Sequence, residues 1–290
     1  MEAMQRSALG ATSGIDRLID GVRLAFDDDG RGPAVVCLHA IGHGAGDFAR
    51  LRARLRDRYR VIALDWPGQG RSGSDHEPAC ATRYAALLVG LLDALGIANA
   101  VLVGNSIGGA AALRVAHAHP ARVRALVLEN PGGLADASDR MSQAAIAMFV
   151  RFFSAGARGA RWFPAAFALY YRLVLQRSAA VAQRRRIVAA AGETAPVLAE
   201  AWRSFARPCE DLRAFGSGIA CPVLFAWATR DTIVPLARSR AAIASFPAAR
   251  TVGFPAGHAA HLETPAAFED TVDRFLATLE KPVVATAVGA

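Results

Sequence analysis

The sequence is sparing with cysteine. Its four, Cys37, Cys80, Cys209 and Cys221, form no C-x-x-C pair, and none stands at metal-ligand spacing from a histidine. That argues against a disulfide framework, a structural zinc site and a thiol redox motif. Buried free thiols are expected at Cys37 and Cys221, which lie in or beside apolar runs. Lysine is nearly missing too, so the net charge of +8 rests almost wholly on arginine. A basic balance suits nucleic acid, an anionic membrane or an acidic substrate. No basic run is interleaved with aromatics as a single-strand binder requires, so a solvated arginine-rich surface and no nucleic-acid partner are expected. No stretch approaches a membrane span, and residues 1–10 lack the apolar core of a signal peptide. The expectation is a cytoplasmic protein without stable membrane insertion. There is no internal repeat, no low-complexity linker and no histidine–carboxylate cluster, so no metal and no organic cofactor are expected. Monomer and homodimer both stay open.

What is present is a large apolar fraction, 53% against 20% charged, in 290 residues. That is enough to bury one sizeable core and argues against disorder. Apolar runs of strand length alternate with helical patterns. The strands are expected at 35–39, 61–65, 100–104, 123–129, 223–228 and, more weakly, 251–254. Helices are expected at 47–57, 82–95, 107–119, 236–246 and 265–279. Near-continuous apolar strands separated by helices imply an α/β fold, a mostly parallel twisted sheet with helices on both faces. An early hairpin is expected to include 22–26, followed by a turn at D-D-D-G, 27–30. The alternation stops between 134 and 218, which is helical in composition, aromatic and rich in arginine. That segment reads as a helical cap inserted after the sixth strand, over a core formed by 1–133 and 219–290. Its aromatics, Trp162 among them, either pack the cap or also line an apolar substrate pocket. The tail after 281 is expected to be loose.

One hydroxyl stands out. In V-L-V-G-N-S-I-G-G-A-A-A-L, 101–113, an apolar strand ends at Gly104 and a small-residue helix follows Ser106. G-x-S-x-G between strand and helix is a nucleophile elbow: a strained turn with glycine wherever a side chain would meet neighbouring backbone. It lifts the serine Oγ to the carboxyl end of the sheet, where ligands bind. The Ile107 N–H, at the helix start, can point at an oxyanion. A serine needs a base and the base an orienting acid. The chain order for this elbow is serine, acid, histidine. Asp231 in T-R-D-T-I-V-P and His258 in P-A-G-H-A-A-H-L-E-T-P meet it, both just past strand ends.

Four stretches together resemble the α/β-hydrolase fold superfamily over about 20–280. They are H-A-I-G-H-G-A-G from His39, D-W-P-G-Q-G-R-S from Asp65, G-N-S-I-G-G from Gly104, and the pair R-D-T-I-V-P and G-H-A-A-H-L-E-T-P. The resemblance implies Ser106 as nucleophile, His258 as base and Asp231 as acid. It also implies a second oxyanion donor, the Ile41 N–H, in a loop where Ala40 replaces the usual glycine. Gly42 and His43 in that loop become candidate substrate contacts. Glu129 is an alternative acid, because some such hydrolases take theirs from the end of that strand, and His261 is a rival base.

Serine at the elbow, where haloalkane dehalogenases and epoxide hydrolases of this fold carry aspartate, favours acyl transfer. A serine hydrolase of esters, lactones or thioesters is therefore expected, acting on a small substrate that is apolar or apolar with a carboxylate. A narrower resemblance is to hydrolases that cleave carbon–carbon bonds in ring-fission products of aromatic degradation. The H-A-I-G-H-G-A-G-D-F loop, the elbow and N-P-G-G-L from Asn130 are similar, and Asn105 matches a position that helps bind substrate there. His43, Arg50 and Ala259 stand where that group usually has proline, asparagine and tryptophan. A third reading, from another class, is a member of the fold that binds a small ligand without turnover.

Overall fold

A computed structural model describes residues 11–280; the readings of 1–10 and of the tail after 281 lie outside them. Eight strands form one sheet: β1 (Ala11–Ile19), β2 (Val22–Asp29), β3 (Ala34–Leu38), β4 (Arg60–Leu64), β5 (Ala100–Asn105), β6 (Val123–Glu129), β7 (Val223–Ala228) and β8 (Ala249–Phe254). Their spatial order is β1-β2-β4-β3-β5-β6-β7-β8. The first two strands are antiparallel to their neighbours, and the other six run parallel. Parallel strands need crossovers, and these are helical: α1 (Ala49–Leu55), α2 (Ala81–Ala94), α3 (Ile107–Ala118) and α8 (Leu236–Ile243), while the short α9 (Ala260–Glu263) and α10 (Pro265–Glu280) follow the last strand.

Burial on both faces explains why the strands read as unbroken apolar runs rather than alternating ones. Val36, Leu38, Ile62, Leu64 and Leu102 pack with Leu88 of α2 and Leu113 of α3. Their alternates Val35, Cys37, Val61, Ala63 and Val101 pack on the other face with Leu51 of α1 and Phe268 of α10. Cys37 is a free, buried thiol, and burial pushes its pKa up to about 12. Cys221 is only half-buried. Between β6 and β7 the chain forms α4 (Arg140–Ala157), α5 (Phe163–Val174), α6 (Val181–Ala189) and α7 (Ala191–Ser204), with no strand in that interval.

The early hairpin differs from expectation. Its turn is Asp20-Gly21, between Ile19 and Val22, not 27–30. Both turn residues have positive φ, 46° and 78°, the conformation that an Asp-Gly pair accommodates in a two-residue hairpin. The D-D-D run instead extends β2. An acidic run survives inside a sheet here because arginines from other elements neutralise it. Arg52 of α1 lies 2.5 Å from Asp27 and 3.3 Å from Asp29, Arg60 is 2.7 Å from Asp28, and Arg71 is 2.6 Å from Asp27. Those partners are distant in sequence, so the local pattern looked like a turn. Arg52→Gln takes from the largely buried Asp29 the arginine it pairs with and leaves Asp27 with Arg71 alone. It is expected to lower unfolding free energy by about 2–3 kcal/mol, read as a lower urea midpoint at unchanged slope.

Candidate active site

The site is built at the carboxyl ends of β3, β5, β6, β7 and β8. Ser106 joins β5 to α3 with φ 55° and ψ −118°, one of three non-glycine residues with positive φ among those described. The strain is held from several sides. The Ser106 N–H donates to the Glu129 carbonyl at 2.9 Å, and the Ser106 carbonyl accepts from Ala110 and Gly132. A Cβ on Gly104 would lie 2.6 Å from the Gly108 carbonyl oxygen. One on Gly108 would lie 2.3 Å from the carbonyl oxygen of Leu38 in β3. Both positions are closed to any other residue.

His258 follows β8. Its Nδ1 donates to Asp231 Oδ2 at 2.7 Å, and both side chains are buried. Asp231, past the end of β7, is itself fixed. Its Oδ1 accepts from the Ile233 and Val234 N–H groups at 2.7 and 3.0 Å, and its Oδ2 accepts from Asn130 Nδ2 at 2.6 Å. Burial favours the neutral imidazole of His258. The charge and hydrogen bond of Asp231 outweigh that and raise its pKa above the ordinary 6.5.

Ser106 and His258 face one cavity of about 520 Å³. Its wall is largely apolar, with Ile41, Phe149, Tyr170, Leu198 and Trp202 among the lining residues. His43 lines it as well. Among the described residues, no group of three His, Cys, Asp or Glu side chains is disposed to hold a metal ion. A strained serine and a carboxylate-held imidazole thus open on one apolar cavity. A family model described as "Alpha/beta hydrolase family" matches residues 35–271.

The chain belongs to the alpha/beta hydrolase family.

Within the family it is 29% identical over 293 residues to an uncharacterized protein of Mycobacterium tuberculosis, covering 91% of this chain and 81% of that one. It is 38% identical over 123 residues to a 2-hydroxy-6-oxononadienedioate/2-hydroxy-6-oxononatrienedioate hydrolase of Comamonas testosteroni, covering 40% of this chain and 42% of the relative. A thermophilic esterase from Thermogutta terrifontis superposes with a TM-score of 0.79 at 24% identity, over 93% of this chain and all of the other; at that identity the likeness concerns the fold.

Other expected site residues of this alpha/beta hydrolase fall differently. Asn105 does not line the cavity. It is fully buried and its Nδ2 donates to the carbonyls of Glu129 and His258, both at 3.1 Å. It sits in a β5 whose two faces are both covered, so it braces the His258 loop from below. Trp162 is 54% exposed just before α5, tilted against Phe152 and edge-on to Phe163, and is not among the residues that line the cavity. Composition alone did not tell which aromatics face inward. Gly42, with φ +77°, also lies off the cavity wall; its N–H donates to Gln69 Oε1 at 2.6 Å.

Glu129 pairs with the second histidine, not with His258. His261 Nδ1 donates to Glu129 Oε2 at 2.6 Å, and the His261 N–H to Oε1 at 3.1 Å. His261 Nε2 lies 4.0 Å from Asp47 Oδ2, and that oxygen accepts from His43 Nδ1 at 2.5 Å. Burial lowers the His261 pKa and Glu129 raises it, with a net rise. A buried series of acids and histidines thus runs from Glu129 through His261 and Asp47 to His43, which lines the cavity.

Two positioning residues escaped the sequence reading. Asn130, in the left-handed region at φ 42°, holds Asp231 and accepts the Ala228 N–H at 2.7 Å. Glu263 is almost fully buried. Its Oε1 accepts from Gly257 and His258 N–H groups at 2.8 and 3.2 Å, and its Oε2 from Gln176 and Arg177 at 2.7 and 2.9 Å. It ties the His258 loop to the end of α5. N-P and L-E-T-P hinted at a turn and a helix start, but Asp231 lies 101 residues from Asn130, and Gln176 and Arg177 lie 87 and 86 residues from Glu263.

A folded-state pKa raised above its unfolded value means that His258 stabilises the fold most below pH 6.5, and that this contribution fades as pH rises through the folded value. The His258 imidazole is expected to titrate above 6.5 by NMR, and Asp231→Asn to move that midpoint downward. An unmoved midpoint would show that the pairing does not hold in solution.

Proposed function

We propose that the protein is a serine hydrolase cleaving an ester-type bond (carboxylic ester, lactone or thioester) in a small, largely apolar substrate. The observation that carries this reading is the convergence of Ser106, and of a His258 held by Asp231 at 2.7 Å, on one apolar cavity of about 520 Å³. The segment 134–218 acts as a cap that supplies much of that cavity's apolar wall.

In this reading His258 takes the Ser106 proton as Oγ attacks the substrate carbonyl. Asp231 holds the imidazole tautomer and stabilises the imidazolium that forms. The N–H groups of Ile41, after β3, and Ile107, at the first position of α3, receive the oxyanion. His258 then protonates the leaving group and later activates water to release the acid. No step calls on a cofactor. Because the pKa of His258 is raised, kcat/KM should fall on acidification from a point above 6.5.

Carbon–carbon hydrolysis is the second reading, supported by the partial identity to the Comamonas hydrolase. The residues favour it less. Asn105 stands off the cavity, and of the three arginines on its wall two are already paired, Arg213 with Asp211 and Asp136 and Arg238 with Asp139, which leaves Arg207 to meet a substrate carboxylate. A ligand-binding member without turnover is separated from both by a fluorophosphonate probe. Labelling of wild type but not of Ser106→Ala is expected, together with a loss on the order of 10⁶ in kcat on short-chain aryl esters. An unlabelled wild type, or equal rates for the two proteins, would refute the activated serine.

A further inference from the structure

The positive charge is not spread evenly. Residues 140–192 hold nine arginines and no aspartate or glutamate, which leaves the rest of the chain near neutrality. This stretch contains α4, α5 and α6. Among the described residues, Arg151, Arg158, Arg161 and Arg172 make no ion pair, and all four are exposed.

Two of these helices, α4 and α5 with its preceding Trp162, carry five of the six large apolar side chains exposed among the described residues. Met141 is 76% exposed, Met148 56%, Trp162 54%, Leu169 61% and Leu173 58%. Helical spacing puts Met141, Met148 and Arg151 on one stripe of α4, and Trp162, Leu169 and Arg172 on one stripe of α5. Aromatic contacts join the two stripes. Phe152 of α4 lies 5.9 Å from Trp162 and 6.2 Å from Tyr170, ring centre to ring centre, and all three are incompletely buried. Tyr170 and Leu173 also line the cavity that holds Ser106. The patch therefore runs from Trp162 to the cavity mouth.

We propose that this face docks on an anionic lipid bilayer, and that the cavity draws its substrate, an amphiphile with an apolar chain, from that surface. Exposed Trp, Leu and Met enter the headgroup–acyl boundary, and the surrounding arginines meet lipid phosphates. Charge decides against the competing occupants. A second copy would set arginines against arginines across a twofold contact. A nucleic acid would meet the charge but leave Leu169, Leu173 and two methionines with nothing to bury. Docking here is peripheral: no described helix is long and apolar enough to cross a membrane. The substrate half of the proposal rests on the hydrolase reading; the docking half does not.

The test uses flotation with the full chain and vesicles of phosphatidylglycerol or of phosphatidylcholine. Wild type is expected to float with the anionic vesicles and to be released by salt. Arg151→Gln/Arg161→Gln/Arg172→Gln should lose about 100-fold in partitioning. Trp162→Ala/Leu169→Ser should lose binding without changing its salt dependence. These side chains are exposed, and circular dichroism checks the fold. Ser106→Ala should float like wild type, so a failure of the hydrolase reading leaves docking intact. An absence of flotation overturns docking, as does equal binding to both vesicle types. So does binding unaffected by the Trp162→Ala/Leu169→Ser pair, which marks a generic polyanion site. Concentration-dependent dimers abolished by that pair would assign the patch to a second copy instead. Hydrolysis of vesicle-borne esters no faster than of the same esters in solution, with flotation retained, would overturn the substrate half alone.

Discussion

The contact on which the site depends is the approach of Gly108 to the Leu38 carbonyl. A single added carbon would lie 2.3 Å from that oxygen. β3 and β5 are parallel neighbours in register, Leu38 against Gly104. The chain must turn back over β3 the moment β5 ends, and only glycine lets it turn that tightly. Once it does, Ser106 stands at the strand end, α3 starts beneath it, and the loop after β3 faces it across the gap. The positive φ of Ser106 follows from this geometry, and the hydrogen bonds to Glu129, Ala110 and Gly132 hold it.

Two buried acid–histidine pairs sit at this edge of the sheet, one built on an aspartate and one on a glutamate. Asp231–His258 opens on the cavity, whereas Glu129–His261 is closed in, with His261 stacked 4.6 Å from Phe48. The imidazoles differ in what they can reach. Buried carboxylates here are consistently matched: Asp231 accepts two backbone N–H groups, Asn130 and His258, and Glu263 accepts four backbone N–H groups. Burial at low dielectric would otherwise cost each of them several kcal/mol. Satisfying Glu263 from both the His258 loop and the end of α5 couples the helical segment to the imidazole. A Cβ on Gly257 would lie 2.4 Å from the Val174 carbonyl oxygen, so the same contact is also sterically tight.

The helical segment divides its labour by face. Phe153, Phe163 and Phe167 are buried and pack its helices together, Phe149 and Tyr170 turn toward the cavity, and Trp162 and Leu169 face outward. Composition made the segment aromatic and basic throughout. The assignment of each ring to packing, cavity or surface came from how α4, α5 and α7 lie on one another.

The sequence by itself determined the α/β architecture, the elbow and the candidates placed around it. Period, strand length and the G-N-S-I-G-G turn are local properties, and the strand ends that carry Asp231 and His258 follow from them. Contacts between distant segments were left to tertiary structure. Asp27 to Asp29 read as a turn because Arg52, Arg60 and Arg71 were out of view. Asn105 was a substrate candidate through the resemblance to carbon–carbon hydrolases, whereas its bonds to the Glu129 and His258 carbonyls come from distant segments, and so do the partners of Asn130 and the Gln176 and Arg177 bonds of Glu263. Spacing along a chain fixes which atoms are neighbours over one turn or one strand. Which of two histidines meets which of two carboxylates is set by how the strands are ordered in the sheet, and only the folded chain decides that.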